Sequence, residues 1–313
     1  MDHTASLTGT DGSGSMNDGK SAPLPMREGV TPSYIWLPPG QWPSLLDFLV
    51  SRFPAVDAHA WTARMQSGLV CDAAGAALGP SACYQVGLRV FYYREIDNEP
   101  PIPFEETILY QDDHLLVADK PHFLPVTPSG RFLHQTLLVR LRKKTGIADL
   151  VPIHRLDRET AGVVAFSVNP ATRGQYQALF RQQAVEKEYE ALAVPNPGLQ
   201  FPLERRSRIV QGPRFFVMQE TDGDPNSHTE IDVLERGTSS WRYRLRPSTG
   251  KTHQLRLHML GLGMPILNDL LYPVVFPVGG EDFAQPLKLL ARSIAFVDPV
   301  SGRRRLFASS RTL

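Results

Sequence analysis

In this 313-residue chain, Asp157 is an acid set among charged neighbours of both signs. It stands between Arg155 and Arg158, three residues after His154, in the string IHRLDRETAG at 153–162. Flanking guanidiniums favour the ionised form of a carboxylate and can also grip phosphates. A carboxylate held this way can act as a base or as a nucleophile. The same cluster also suits an ion pair that only closes a loop, since structural pairs gather acids and arginines too. An apolar run, VVAFSV at 163–168, follows at once and reads as a buried strand. Gly162, just before it, suits a tight backbone approach. A loop that enters a core strand is held firmly and reached from one side.

Two further stretches carry chemistry. Residues 185–194, VEKEYEALAV, alternate like a strand and present Tyr189. A phenol has a flat face for stacking on a base and a hydroxyl for proton transfer, although a plain core tyrosine also fits. Residues 246–259, RPSTGKTHQLRLHM, contain the Gly250-Lys251-Thr252 of a phosphate-binding loop. That pattern needs a glycine five places before Gly250, and Leu245 is there, so ATP or GTP binding is discarded. His253 and His258 are five apart, off the i, i+4 spacing of a helical zinc pair, and no metal site is expected.

The string from His154 to Gly162 resembles, without a break, the second motif of the RluA branch of pseudouridine synthases, H-R-L-D-R-x-T-S/A-G. The resemblance makes Asp157 the catalytic carboxylate, as nucleophile or as base. Lys187-Glu188-Tyr189-Glu190-Ala191 resembles the family motif that supplies an active-site tyrosine, with Lys187 as nearby support. The 246–259 string resembles the third motif, T-G-R-x-H-Q-I/L-R-x-H, which makes Arg256 the partner of Asp157. Lys251 replaces an arginine there, keeping the charge but losing the bidentate fork. The resemblance implies that Arg155 fills the gap left by a flipped base and that Leu289 walls the uracil pocket. His154, Lys187, Lys251 and His253 complete the expected substrate-binding set. Lys120-Pro121 resembles the first motif, which packs beneath the active site. Residues 264–272 resemble G-x-P-I-x-G-D-x-x-Y with Asn268 in place of glycine. Residues 287–299 resemble the last motif, with Leu290 and Asp298 where histidines are usual.

The implied reaction isomerises uridine to pseudouridine within RNA, in transfer RNA and/or large-subunit ribosomal RNA, without a cofactor. The target base must leave its stack before a buried carboxylate can reach its sugar. The implied fold is α+β, a mixed, mainly antiparallel sheet with flanking helices around a central cleft. A different class, a catalytically silent RNA-binding or ribosome-assembly protein on the same fold, would keep the RNA contacts without turnover.

The elements that must position these groups follow from composition. Hydrophobic residues make up 42% and charged residues 21%, as in a globular chain. The net charge is +1, so any RNA-facing surface must be a local patch balanced elsewhere. Two cysteines, Cys71 and Cys83, are too few for a disulfide framework or a zinc site. No apolar run is long enough to cross a bilayer and the N-terminus lacks a secretory pattern, so a cytoplasmic monomer is expected.

Residues 1–33, rich in small and polar types, read as a disordered tail. Residues 34–97 form a small module, with helices at 44–50 and 58–66 and strands at 69–71 and 88–93. It resembles the α-L RNA-binding domain, although only Arg52 and Arg64 are basic on its helices and Asp72-Ala73-Ala74-Gly75 replaces the usual turn. A structural cap is the alternative. Residues 98–104, with three prolines, read as a stiff linker, and 105–313 as the catalytic domain. A basic helix at 133–145 carries Arg140, Arg142, Lys143 and Lys144, either solvated or lying along phosphates. Arg205, Arg206, Arg208 and Arg214 lie among apolar residues with Phe215 and Phe216, which fits an RNA-facing hairpin or an ordinary exposed strand.

Overall fold

The computed structural model describes residues 24–96, 98–214, 216–275 and 282–313. The chain divides into two compact units between Asn98 and Glu99. The first contains β1 (Ser33–Trp36), α1 (Leu45–Arg52), α2 (Ala58–Gln66), β2 (Val70–Cys71) and β3 (Arg89–Tyr92). Its sheet runs β1-β3-β2, all antiparallel. Ser44 and Asp57 cap the helices by accepting from Asp47 N–H (3.1 Å) and Ala60 N–H (2.7 Å). Leu45, Phe48, Leu49, Trp61 and Met65 then pack on Val70, Val90 and Tyr92. The tail expected over 1–33 lies partly outside the described residues. Its described end differs from the expectation: Arg27 and Val30 exchange backbone hydrogen bonds, and Ser33 already pairs with Tyr92 in a strand not foreseen.

The second unit contains β4 (Thr107–Gln111), β5 (Leu115–Lys120), α3 (Leu137–Thr145), β6 (Val151–Pro152), β7 (Ala161–Ser167), α4 (Pro170–Arg181), β8 (Glu186–Ala193) and β9 (Leu203–Gln211). It continues with β10 (Met218–Thr221), β11 (Ser227–Arg236), β12 (Trp241–Pro247), α5 (Gln254–Gly261), β13 (Leu289–Val297) and β14 (Arg304–Ala308). One sheet joins all these strands in the order β10-β9-β11-β12-β8-β13-β7-β5-β4, with β14 on β13 and β6 on β7. Every pairing is antiparallel except β13 with β7.

That one parallel contact sits between the two halves of the sheet. On one side, Leu116, Ala118, Val164 and Phe166 pack on Leu137 and Leu141 of α3. On the other, Tyr243 and Leu245 pack on Leu255 and Met259 of α5. Tyr189 touches both cores. Gly162 makes the junction possible. It has φ +117°, and a Cβ there would lie 2.2 Å from the carbonyl oxygen of Ala291 on β13.

Two expectations are corrected by the packing. The 98–104 segment, expected as a stiff linker, packs onto the second unit from Glu99 onward. The Glu99 carboxylate accepts from Leu133, His134 and Gln135 N–H at 2.6–2.9 Å, and Ile102 is buried. The basic helix starts at Leu137, and two of its cations face inward. Arg140 donates to the carbonyls of Phe104 and Ile102, and Arg142 to that of Leu150. A guanidinium placed among carbonyls in this way braces the chain and is withheld from phosphates. On the β9–β10 hairpin, Arg205 pairs with Glu220 (2.6 Å) and Arg206 with Glu204 (3.0 Å). Phe215 lies outside the described residues.

Candidate active site

Asp157 rides on the loop between β6 and β7, and that loop is tied down from beneath. Lys120, the last residue of β5, is fully buried and donates to the carbonyls of Pro121 (3.0 Å), Leu124 (2.8 Å) and Arg158 (3.0 Å). Burial pulls its pKa down to about 7, against the opposing pull of Glu159 and Asp157. His122 donates through Nδ1 to the Glu159 carbonyl at 2.6 Å. Burial drives this imidazole to about 4, so it is neutral. Thr160 N–H closes the turn onto the Asp157 carbonyl (3.2 Å). Each of these bonds fixes backbone and leaves the Asp157 side chain one quarter exposed.

Arg256 comes from the opposite half of the sheet, on the first turn of α5. His253 turns the chain into that helix with φ +55°. The Arg256 guanidinium is 1% exposed and forks onto Asp269, with Nε to Oδ2 at 2.7 Å and Nη2 to Oδ1 at 2.5 Å. Its remaining nitrogen, Nη1, reaches Asp157 Oδ2 at 3.5 Å and stands 3.8 Å from Glu159. The expected Arg256–Asp157 pairing is therefore present but long, and the short bidentate pair belongs to Asp269. Burial opposes charge on Arg256, but Asp269 and then Asp157 outweigh it, so the cation is held more firmly than usual. Burial likewise opposes ionisation of Glu159, while Arg158 and Arg256 hold it below the usual carboxylate range.

His253 presents Nε2 to Asp157 at 4.0 Å and bonds through Nδ1 to the Tyr272 hydroxyl at 2.9 Å. The Tyr272 ring also lies under the Arg256 guanidinium, 5.4 Å away. Tyr189, on β8 opposite Ala291 and Leu245, stands between the two cores. Burial first, then the negative charge of Asp157, raises its phenol pKa, so the hydroxyl stays protonated at neutral pH. Leu289 is buried at the start of β13 against Ala191. Lys187 donates to the Thr249 carbonyl at 2.9 Å, joining β8 to the loop that leads into α5. Burial lowers its pKa to about 8. Gln254 accepts from Lys251 N–H and Thr249 Oγ1, which stiffens the same loop, while the Lys251 side chain is exposed.

Two residues of the expected substrate set part company here. Arg155 is exposed beside Asp157. His154 serves the fold instead: Nε2 accepts from Ala165 N–H (3.1 Å), and the ring stacks on Phe180 at 4.6 Å. Burial drives its pKa to about 3, so it is a neutral brace behind the loop. Asp269 and Tyr272 were legible as part of a motif but had not been assigned to the site. Asn268 precedes them with φ +61°, a conformation asparagine tolerates where the motif has glycine. Asp298, at the other departure from the motif, accepts from Val300, Ser301 and Tyr176 and so has a structural role.

The assembled site is a partly open carboxylate beside a clamped cation, with a protonated phenol between the two cores. Among the described residues, no group of three or more His, Cys, Asp or Glu could hold a metal ion, and no helix is long and apolar enough to cross a membrane.

Residues 114–260 match the family model described as RNA pseudouridylate synthase. The dual-specificity RNA pseudouridine synthase RluA of Escherichia coli K12 is 36% identical over 214 residues, which cover 67% of this chain and 94% of that one. An uncharacterized RNA pseudouridine synthase of Synechocystis, slr1592, is 28% identical over 73% of this chain and 79% of its own length. In fold, the chain resembles the solved structure of human RNA pseudouridylate synthase domain containing 1. The TM-score is 0.54 at 24% identity, covering 68% of this chain and 86% of that one.

Proposed function

We propose that this chain, which belongs to the RluA-type family of RNA pseudouridine synthases and converts uridine to pseudouridine in RNA, does so with Asp157 as its reacting carboxylate. The observation that carries this assignment is the Asp157–Arg256 contact at the junction of the two half-sheets, with the Arg256 fork anchored elsewhere on Asp269. An arginine anchored in this way holds the carboxylate in place yet leaves it room to meet a ribose or a base.

In the reaction, the bond from C1′ of the sugar to N1 of uracil breaks. The base turns, C1′ bonds to C5, and the proton leaving C5 balances the one gained at N1. Atoms and electrons are conserved within the nucleoside, so the chain has to bind, orient and move protons. Asp157 acts at the sugar or the base. Tyr189 stacks on the base, and its protonated hydroxyl relays the C5 proton rather than taking it as a phenolate. Leu289 walls the pocket, and exposed Arg155 occupies the gap the target base leaves. His253 and Lys187 orient the loop and α5, and Lys251 meets RNA backbone from the rim. The substrates are transfer RNA and/or large-subunit ribosomal RNA, and the chain works as a cytoplasmic monomer.

The test is to map pseudouridines in both RNA classes from a strain lacking the gene. A site lost there, restored by the wild-type chain and not by Asp157→Ala, identifies the substrate. No lost site in either class would overturn the substrate assignment.

A further inference from the structure

Resting on the reading of the chain as an RNA-modifying enzyme, we infer that the exposed Trp36 end of the outer face of the β1–β3 pair, beside Arg89, is a stacking site for unpaired bases of the substrate RNA. The pleat divides these strands cleanly. Ile35, Val90 and Tyr92 join the core under α1 and α2. Tyr34, Trp36, Arg89 and Phe91 occupy the other face, where Tyr34 stands opposite Phe91 and Trp36 opposite Arg89; Phe91 is buried there, Tyr34 and Arg89 are half-buried, and Trp36 is exposed. The Arg89 guanidinium lies 4.1 Å from the ring centre of Tyr34, 4.9 Å from Phe91 and 5.4 Å from Trp36.

Two features fit nucleic acid rather than buried packing. The Trp36 indole is 57% exposed, although it is one of the largest apolar groups in the chain. Among the described residues no carboxylate pairs with Arg89. An exposed indole beside a guanidinium with no paired carboxylate among the described residues offers a π-face for a base and a charge for the adjoining phosphate. The helical face of this unit offers less. Arg64 of α2 is turned in upon Glu95 and the Trp61 ring. RNA contact by this unit is therefore assigned to its sheet, with single-stranded RNA as the ligand.

The experiment measures fluorescence anisotropy of a labelled ten-residue oligoadenylate against the full chain. That probe holds no uridine, so the catalytic cleft has no target in it. Trp36→Ala and Arg89→Ala should each weaken binding roughly tenfold, while Trp36→Phe keeps most of it. A duplex RNA of equal length should compete poorly, because its bases are already stacked. Unchanged affinity in both alanine variants, their folding confirmed by circular dichroism, would overturn the inference, as would equal competition by duplex. Concentration-dependent self-association lost in Trp36→Ala, with RNA affinity intact, would place a second copy on this face and also overturn it. Pseudouridine formation by the wild-type chain in total RNA is measured in parallel. Its absence would remove the enzyme reading and leave the oligoadenylate result standing.

Discussion

Asp157 and Arg256 divide their duties unequally. The arginine is buried and committed to Asp269, while the acid stays partly open. The clamp is therefore as important as the contact it supports. In Asp269→Asn the buried guanidinium loses its short bidentate partner and keeps only the longer contacts to Asp157 and Glu159, where removing one side of a buried pair typically costs up to roughly 3–5 kcal/mol. Chemical denaturation should show that loss, and pseudouridine formation should fall with it. An unaltered midpoint would mean that Arg256 is steadied by something else. Tyr189→Phe separates the two tasks of the phenol. The ring remains for stacking and the hydroxyl is lost, so turnover should fall by about 10²–10⁴ with RNA affinity kept. Equal turnover in Phe and Tyr forms, read in a single-turnover assay, would reduce Tyr189 to a stacking role.

At the scale of elements, the site exists because β13 crosses close beside β7 at Gly162. Gly162→Ala would drive a methyl into the Ala291 backbone and force φ +117° on a residue with a side chain. We expect loss of roughly 3 kcal/mol or more, seen as insoluble expression or a much lower urea midpoint. A soluble variant of wild-type stability would show that the junction can yield. The close approach at Gly162 was legible in the sequence, since a glycine leading a β-rich run has few other uses. So was α2, expected over 58–66 and found there, where local side chains decide the backbone. Two kinds of feature were not legible. β1 is short, and only its pairing with a distant strand makes it one. The inward turn of Arg140 and Arg142 depends on carbonyls supplied by other loops, so charge alone read as exposure. Asp269 was missed as the clamp for the same reason. It lies thirteen residues from Arg256, beyond a turn whose path no local pattern fixes.

Across the whole molecule, neutral histidines are built into the packing. His258 is fully buried, bonded to Ser207, Ser227 and Thr229, with Glu220 at 4.0 Å and Arg205 nearby. Burial holds its pKa at about 4, and His122 and His154 behave alike, against roughly 6.5 in an unfolded chain. A lowered folded pKa means that the unfolded chain takes up these protons first. The stability they contribute is complete above about pH 6.5 and is lost as pH falls toward 4. Thermal melts should therefore drop between pH 7 and 5, and His258→Gln should flatten that slope; an identical slope would contradict it. The central assignment is tested most directly by Asp157→Asn, which keeps the shape of the side chain and removes its charge. Pseudouridine formed in total RNA by the purified variant is measured beside RNA binding. We expect binding near the wild-type level with no detectable isomerisation, whereas substantial turnover by Asp157→Asn would place the reacting carboxylate elsewhere.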